Sequence, residues 1–282
     1  MKITTDIKKL INIALQEDAP QGDITARYFS RSKDYVHATI IAKQAGTLAG
    51  LWLAIACFHT VSKKIEIIQH YLDGETVGEG TILLELTGPL EAIVRAERVA
   101  LNFLQHLSGV ATATAELVGL LKGTKATLLD TRKTMPGFRT LDKYAVRCGG
   151  GTNHRFNLSD MILLKENHIR SLDIETLCSK IAYARKKTSV RIEIEAETLA
   201  QVAAFLTLPV DIIMLDNMAP ALLKKAVALR NKKAKQIQLE ASGNVCAKTI
   251  RAIARTGVDF ISCGAITHSA KAFDVSLLVE SL

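Results

Sequence analysis

Aromatic residues are scarce, 5% of the 282 positions, which leaves little for stacking on nucleic-acid bases. Long apolar runs are missing as well. The longest, Ala45 to Phe58, is interrupted by Thr47 and two glycines, and it is shorter than the ~20 residues a bilayer demands, so no membrane association is expected. The N-terminus, MKITTDIKKLINIALQEDAP, has no apolar core and no small-residue cleavage site, so no secretory signal is expected. The five cysteines, at 57, 148, 178, 246 and 263, are odd in number, scattered and never spaced C-x-x-C. That argues against a disulfide framework and a zinc site, and it suits the reducing cytoplasm. No G-x-G-x-x-G opens a strand–helix unit. Internal repeats, low-complexity stretches and Pro/Ser-rich linkers are absent too.

What is present is an ordinary globular composition, 48% hydrophobic and 23% charged, which excludes disorder, collagen and coiled coil. The length suits one large domain or two moderate ones. The net charge is +8, and a basic protein of this kind either meets nucleic acid or handles small anions. Its distribution favours the second. Between Asp130 and Arg170 there are eight lysines and arginines against four acids, half of the whole excess. Such clustering around a glycine run and two histidines describes a basic pocket better than a nucleic-acid surface. A non-catalytic nucleic-acid binder is the competing reading of the charge, and steep salt dependence of RNA or DNA binding would favour it.

The chain changes texture along its length. It opens with an amphipathic helix in which Ile7, Leu10, Ile11, Ala14 and Leu15 share a face. Short alternating stretches with glycine turns follow, ATIIAKQAGTLAG, KIEIIQHYLDGETVGEG and TILLELTGPL, the pattern of an antiparallel or mixed sheet. A helix is expected from about Leu90 to Leu107. From Ala126 onward six short apolar runs recur: ATLLD, MILLK, VRIEIE, DIIMLD, IQLEAS and FISCG. Their ends are spaced 21 to 35 residues apart, and helical patterns bridge several of them. This is βαβ rhythm and calls for a parallel sheet. Reactive residues at the same end of six strands favour an α/β barrel, whose site is built from the carboxyl ends of its strands.

Those ends hold the candidate chemistry. Thr131, Arg132 and Lys133 follow the first run, where adjacent cations can grip a carboxylate or phosphate, Arg bidentately, or can simply form a solvated basic loop. Gly149-Gly150-Gly151 lets backbone N–H groups approach an anion, with His154 and Arg155 as donors just downstream. Lys165 ends the second apolar run, where a lysine must reach solvent or meet an anion. Glu195 and Asp216 could hold Mg²⁺ on a polyphosphate, and structural salt bridges to Lys165 or Arg132 are the competing explanation. The last two runs end in Ser242-Gly243-Asn244 and Gly264-Ala265, with His268 nearby, where barrels frequently bind phosphate. His37, His59, His70 and His106 are read as structural. The cysteines have no visible base partner and are read as core or incidental.

The segment DTRKTMPGFRTLDKYAVRCGGGTNHRFNLSDMILLKENHI resembles the signature of the quinolinate phosphoribosyltransferase family. The motifs AERVALNFLQHLSGVAT, IIMLDNM, LEASGNV and GVDFISCGAITHSAKAFD resemble others of the same family, so the likeness extends over nearly the whole chain. It implies a type II phosphoribosyltransferase: an N-terminal α/β sandwich over residues 1–107, then an incomplete α/β barrel over 108–282 whose last dozen or so residues return to the first domain. It implies transfer of phosphoribosyl from phosphoribosyl pyrophosphate to quinolinate with Mg²⁺, giving nicotinate mononucleotide, pyrophosphate and CO₂ in de novo NAD synthesis. Carried over by position, Arg132, His154, Arg155 and Lys165 surround quinolinate, and Arg98 reaches in from a neighbouring subunit of a homodimer or hexamer. Lys133, Glu195 and Asp216 face the ribose and the metal-bound pyrophosphate, with the metal held directly or through pyrophosphate or water. Ser242, Gly243, Asn244, Gly264, Ala265 and His268 hold the 5′-phosphate. Lys133, Lys165, Glu195 and Asp216 are the implied catalytic residues, and no nucleic-acid partner is implied. One departure is Ala19-Pro20-Gln21 in the N-terminal motif, which is similar to a paralogous family associated with molybdate transport. Lys165-Glu166-Asn167-His168, which that paralogue lacks, is complete here.

Overall fold

A computed structural model describes residues 3–29 and 35–281. The elements of the first part of the chain are α1 (Thr5–Asp18), α2 (Ile24–Phe29), β1 (Tyr35–Ala42), β2 (Gly46–Thr47), α3 (Leu51–Val61), β3 (Glu66–Gln69), β4 (Thr76–Val77), β5 (Ile82–Pro89) and α4 (Leu90–Leu120). Then come β6 (Thr127–Leu129), α5 (Arg139–Cys148), β7 (Ile162–Leu164), α6 (Glu166–Ile169), α7 (Ile174–Lys187), β8 (Ile192–Ala196), α8 (Leu199–Phe205) and β9 (Ile212–Asp216). The last are α9 (Pro220–Lys233), β10 (Gln238–Ser242), α10 (Ile250–Ala254), β11 (Phe260–Ser262), α11 (Ala265–His268) and β12 (Val275–Ser281). Two compact units result: one holds the chain up to Ala113, Arg147–Gly149 and the segment from Ala270, the other Thr114–Val146 and Gly150–Ser269.

In the first unit β12, β1, β5 and β3 form an antiparallel sheet in that order. Strand β1 alternates as a one-sided strand should, burying Val36, Ala38, Ile40 and Ala42. Helix α1 buries Ile7, Ile11 and Leu15, the centre of the stripe its spacing predicts, and Leu10 and Ala14 flank them half-buried. The apolar stretch without periodicity, LWLAIACFHTV, is α3, buried at Leu51, Leu53, Ala54, Ala56, Cys57 and Phe58. A helix apolar on nearly every side belongs inside a core. Helix α4 outruns its expected end near Leu107 and continues to Leu120. Gly109, inside this helix, marks a close approach. A Cβ there would lie 2.1 Å from the Lys271 carbonyl oxygen.

The second unit is the expected parallel sheet. Six strands run in the order β6-β11-β10-β9-β8-β7, every pair parallel, and each coincides with one of the six apolar runs. Chain neighbours are sheet neighbours except that β6 pairs with β11, so the sheet curls toward closure. Among the described residues β6 and β7 do not pair with each other, and Thr152 forms a single parallel bridge to Leu129 beside that gap. The barrel is therefore incomplete. Among the described residues no helix is long and apolar enough to cross a membrane.

Candidate active site

The carboxyl ends of the six strands open onto a cavity of about 760 Å³. Its wall gathers Thr131, Arg132 and Lys133 beyond β6, then His154 and Arg155, and Lys165 beyond β7. Glu195 comes from β8, Asp216 from β9, Ser242 to Asn244 from the end of β10, and Gly264, Ala265 and His268 from beyond β11. Fourteen of the fifteen residues singled out in the sequence thus share one wall. Arg98 is the exception: it is exposed on α4 and does not line the cavity.

The geometry differs along that wall. Lys165 donates from Nζ to Glu195 Oε2 at 2.8 Å, so the ion pair weighed against a metal role is present. Asn217 donates from Nδ2 to Asp216 Oδ2 at 2.7 Å. Glu197, which the sequence did not suggest, joins Glu195 and Asp216, with carboxylate oxygens all within 4.8 Å of one another. Three hard oxygen donors suit a Mg²⁺-like cation. Across the cavity, Arg155 is held by a bond from Nη1 to the Met161 carbonyl at 3.3 Å. Burial and the like charge of Arg132 lower its pKa, opposed by Glu193. The Nε of Arg132 is buried without a partner among the described residues, a donor in want of an anion.

The loop after β10 is built for close approach. Gly243 has φ +96°, and a Cβ there would lie 2.1 Å from Asn217 Oδ1. Asn217 and Asn244 themselves take the left-handed conformation at φ 52° and 50°, which asparagine tolerates better than most residues. Two adjacent strand-end loops are thereby folded tightly against each other beside Ser242.

Beneath the wall lies a polar layer. Asp130 and Lys143 pair at 2.5 Å with side chains 0% and 2% exposed. Asp130 Oδ1 also accepts the His154 N–H at 2.8 Å, and Lys143 Nζ donates to the His154 carbonyl at 3.1 Å. Burial dominates both members of the pair, raising the carboxyl pKa and lowering the ammonium's despite their attraction. The ring of His154 has its Nε2 at 3.0 Å from Glu193 Oε2 and 3.3 Å from Glu240 Oε2, and its Nδ1 accepts the Arg155 N–H at 2.7 Å. Sequence reasoning cast His154 as a donor to an anion, but both of its ring nitrogens face protein groups. Burial disfavours the imidazolium, yet hydrogen bonds and charge from the two glutamates outweigh it and push the ring to about 10. Glu193 is raised to about 7, first by burial and then by the charge of Glu240.

Lys143, Glu193 and Glu240 escaped notice in the sequence, though the glutamates leave a trace. Side chains two apart on a strand point the same way, so Glu193 shares the face of Glu195, and Glu240 that of Ser242.

A basic cavity at the strand ends of an incomplete barrel, with a tight loop after β10 beside an acidic cluster, defines a class of protein that handles phosphorylated, multiply charged small molecules. Residues 23–108 match the family described as Quinolinate phosphoribosyl transferase, N-terminal domain, and residues 110–278 match its C-terminal domain. The chain belongs to the quinolinate phosphoribosyltransferase family. It is 39% identical over 277 residues to the probable nicotinate-nucleotide pyrophosphorylase (carboxylating) of Bacillus subtilis, covering 96% of this chain and 92% of that one. It is also 39% identical to the chloroplastic nicotinate-nucleotide pyrophosphorylase (carboxylating) of Oryza sativa, over 99% of this chain and 79% of the relative. The solved nicotinate-nucleotide pyrophosphorylase of Francisella tularensis superposes with a TM-score of 0.91 at 42% identity, covering 98% of this chain and 96% of that one.

Proposed function

We propose that Arg132, Arg155 and Lys165 receive the carboxylates of quinolinate, while Lys133, Glu195, Asp216 and the loops at 242–244 and 264–268 receive the phosphoribosyl donor. The chain transfers phosphoribosyl from phosphoribosyl pyrophosphate to quinolinate with decarboxylation, yielding nicotinate mononucleotide, pyrophosphate and CO₂ for NAD biosynthesis. The observation that supports this placement is the shared wall itself, with four cations (Arg132, Lys133, Arg155, Lys165) and two strand-end acids (Glu195, Asp216) around one cavity. Quinolinate is a dianion and its co-substrate carries more charge still, so a concentrated cationic site is needed to hold both.

The pyridine nitrogen attacks the anomeric carbon as pyrophosphate leaves, and positive charge develops on the sugar. Glu195 and Asp216 are placed to stabilise that charge. Joining the sugar makes the pyridine nitrogen cationic, so it draws in the electron pair released when the adjacent carboxylate departs as CO₂. A proton then takes the vacated carbon. No covalent nucleophile is required. Magnesium fits the oxygen donors of Glu195, Glu197 and Asp216, directly or through water or pyrophosphate, and when bound it offsets the charge of the pyrophosphate. The likeness of its motif to the family's supports a homodimer or hexamer in which Arg98, exposed on α4, completes a neighbour's site. The five free thiols support a reducing, cytoplasmic setting.

Release of CO₂ from carboxyl-labelled quinolinate tests the reading directly. It is expected only when phosphoribosyl pyrophosphate is added, with one pyrophosphate formed per CO₂. No release, or release independent of the co-substrate, would overturn it.

A further inference from the structure

The loop between β6 and α5 carries cations for both substrates, Arg132 on the quinolinate side and its neighbour Lys133 on the side of the phosphoribosyl donor. Its own hydrogen bonds are short in range. Lys133 N–H meets Thr131 Oγ1 at 3.0 Å, and Thr134 N–H meets the Arg132 carbonyl at 2.9 Å. Bonds of that span shape a turn but do not fix where it stands against the rest of the wall. Two side chains that do not line the cavity do so instead. Arg139, the first residue of α5, donates from Nε to Thr134 Oγ1 at 3.2 Å, from Nη1 to the Phe156 carbonyl at 3.2 Å and from Nη2 to the Arg132 carbonyl at 3.4 Å. One planar fork thus joins the segment of Arg132 to the segment of Arg155. Thr267, in α11 and only 4% exposed, has Oγ1 at 2.8 Å from the Lys133 carbonyl and 3.0 Å from the Gly264 carbonyl. A hydroxyl has one proton to give, and the shorter contact is the one to Lys133. The Lys133 stem also lies against Gly264, where a Cβ would come 2.9 Å from Lys133 Cδ. This half of the loop is therefore tied to the strand end assigned to the 5′-phosphate.

We propose that Arg139 and Thr267 are positioning residues that hold the two halves of this loop separately, Arg139 setting Arg132 and Arg155 for quinolinate and Thr267 setting Lys133 for the phosphoribosyl donor. The inference rests on the quinolinate reading. Each residue acts largely through backbone carbonyls, so a change at either one weakens the substrate that its half serves and spares the other. Direct attraction of quinolinate by the Arg139 charge is the competing account, and a variant that keeps the charge without the fork decides between them.

Steady-state kinetics with each substrate varied in turn provides the test. Arg139→Met is expected to raise KM for quinolinate on the order of tenfold and to leave KM for phosphoribosyl pyrophosphate within about twofold. Thr267→Val should do the reverse, by a similar factor. Arg139→Lys keeps the charge but not the fork, and its quinolinate KM should stay within about threefold of that of Arg139→Met. Thr267→Ser keeps the hydroxyl and should stay within about twofold of wild type. Unchanged KM values in Arg139→Met or Thr267→Val, or parallel loss for both substrates, would overturn the proposal, the second by reducing the residue to a structural role. Full recovery in Arg139→Lys, or none in Thr267→Ser, would overturn it as well. If Arg139→Met or Thr267→Val does not fold, Arg139→Gln and Thr267→Ala are measured by the same criteria. A wild-type chain that turned over no quinolinate would instead sink the underlying reading, so the two failures are distinguishable.

Discussion

Arg132, Arg155 and Lys165 present more positive charge to the cavity than a single carboxylate can answer. The buried Nε of Arg132 has no partner among the described residues, and Lys165 is paired with Glu195. Nicotinate, which lacks one of the two carboxylates, would leave a cation desolvated and unpaired, at about 2–5 kcal/mol. Its kcat/KM is therefore expected to fall at least about 30-fold below that of quinolinate, and equal efficiencies in a competition assay would contradict the clamp. The acidic side calls for a different substitution. Glu195→Gln would disturb both the metal cluster and Lys165, because the two are joined at 2.8 Å. Asp216→Asn is the cleaner probe. It is expected to lower turnover and weaken the Mg²⁺ dependence while calorimetry shows quinolinate affinity nearly unchanged, and lost quinolinate binding with an unaltered Mg²⁺ response would place Asp216 on the other substrate. Residues at strand ends were legible because each closes an apolar run, and the run's end is where a barrel builds its site. Glu193 and Glu240 were not, because a charge inside an apolar strand reads as its solvent face. In a barrel that face can be the interior.

At the scale of elements, the six apolar runs became the six barrel strands because parallel strands are covered on both sides and leave a continuous hydrophobic trace. Helix α3 left no such trace because it is apolar almost all round, and α4 runs on to Leu120, past its expected end. The joints between elements rest on polar groups with no periodic signature. Asp259, just before β11, accepts from Lys125 Nζ at 2.8 Å, from Arg230 Nη1 of α9 at 2.8 Å and from the Leu239 N–H of β10 at 2.9 Å. Burial alone would raise its pKa, but these three donors outweigh burial and hold it below its ordinary value of 3.8. A carboxyl with a depressed folded pKa adds stability that is present above the unfolded pKa and is lost as pH falls through the folded one. Asp259→Asn is therefore expected to cost about 1.5–3 kcal/mol in urea unfolding at neutral pH. The difference from wild type should shrink as the pH drops below the usual carboxylate range. A gap that stayed constant with pH would mean that packing rather than charge ties these elements together.

At the scale of the whole molecule, Arg98 is set apart from every other candidate. It stands exposed on α4 in the first unit, whereas the whole cavity wall belongs to the second. A surface arginine on a long helix is unremarkable alone, and neither its spacing nor its neighbours in sequence could have assigned it a role; only the likeness of its motif did so. If it completes a neighbour's site, activity requires the closed oligomer. Arg98→Ala and Lys165→Ala subunits, each inactive alone, should then complement each other when refolded together. In a two-fold dimer, a mixed pair has one site damaged twice and one with both residues intact. Random 1:1 reassortment makes about half of the dimers mixed, so activity should return to about a quarter of all sites. A mixture as inactive as its parents, with mixed dimers demonstrated by mass spectrometry, would place Arg98 in its own subunit's site or in none.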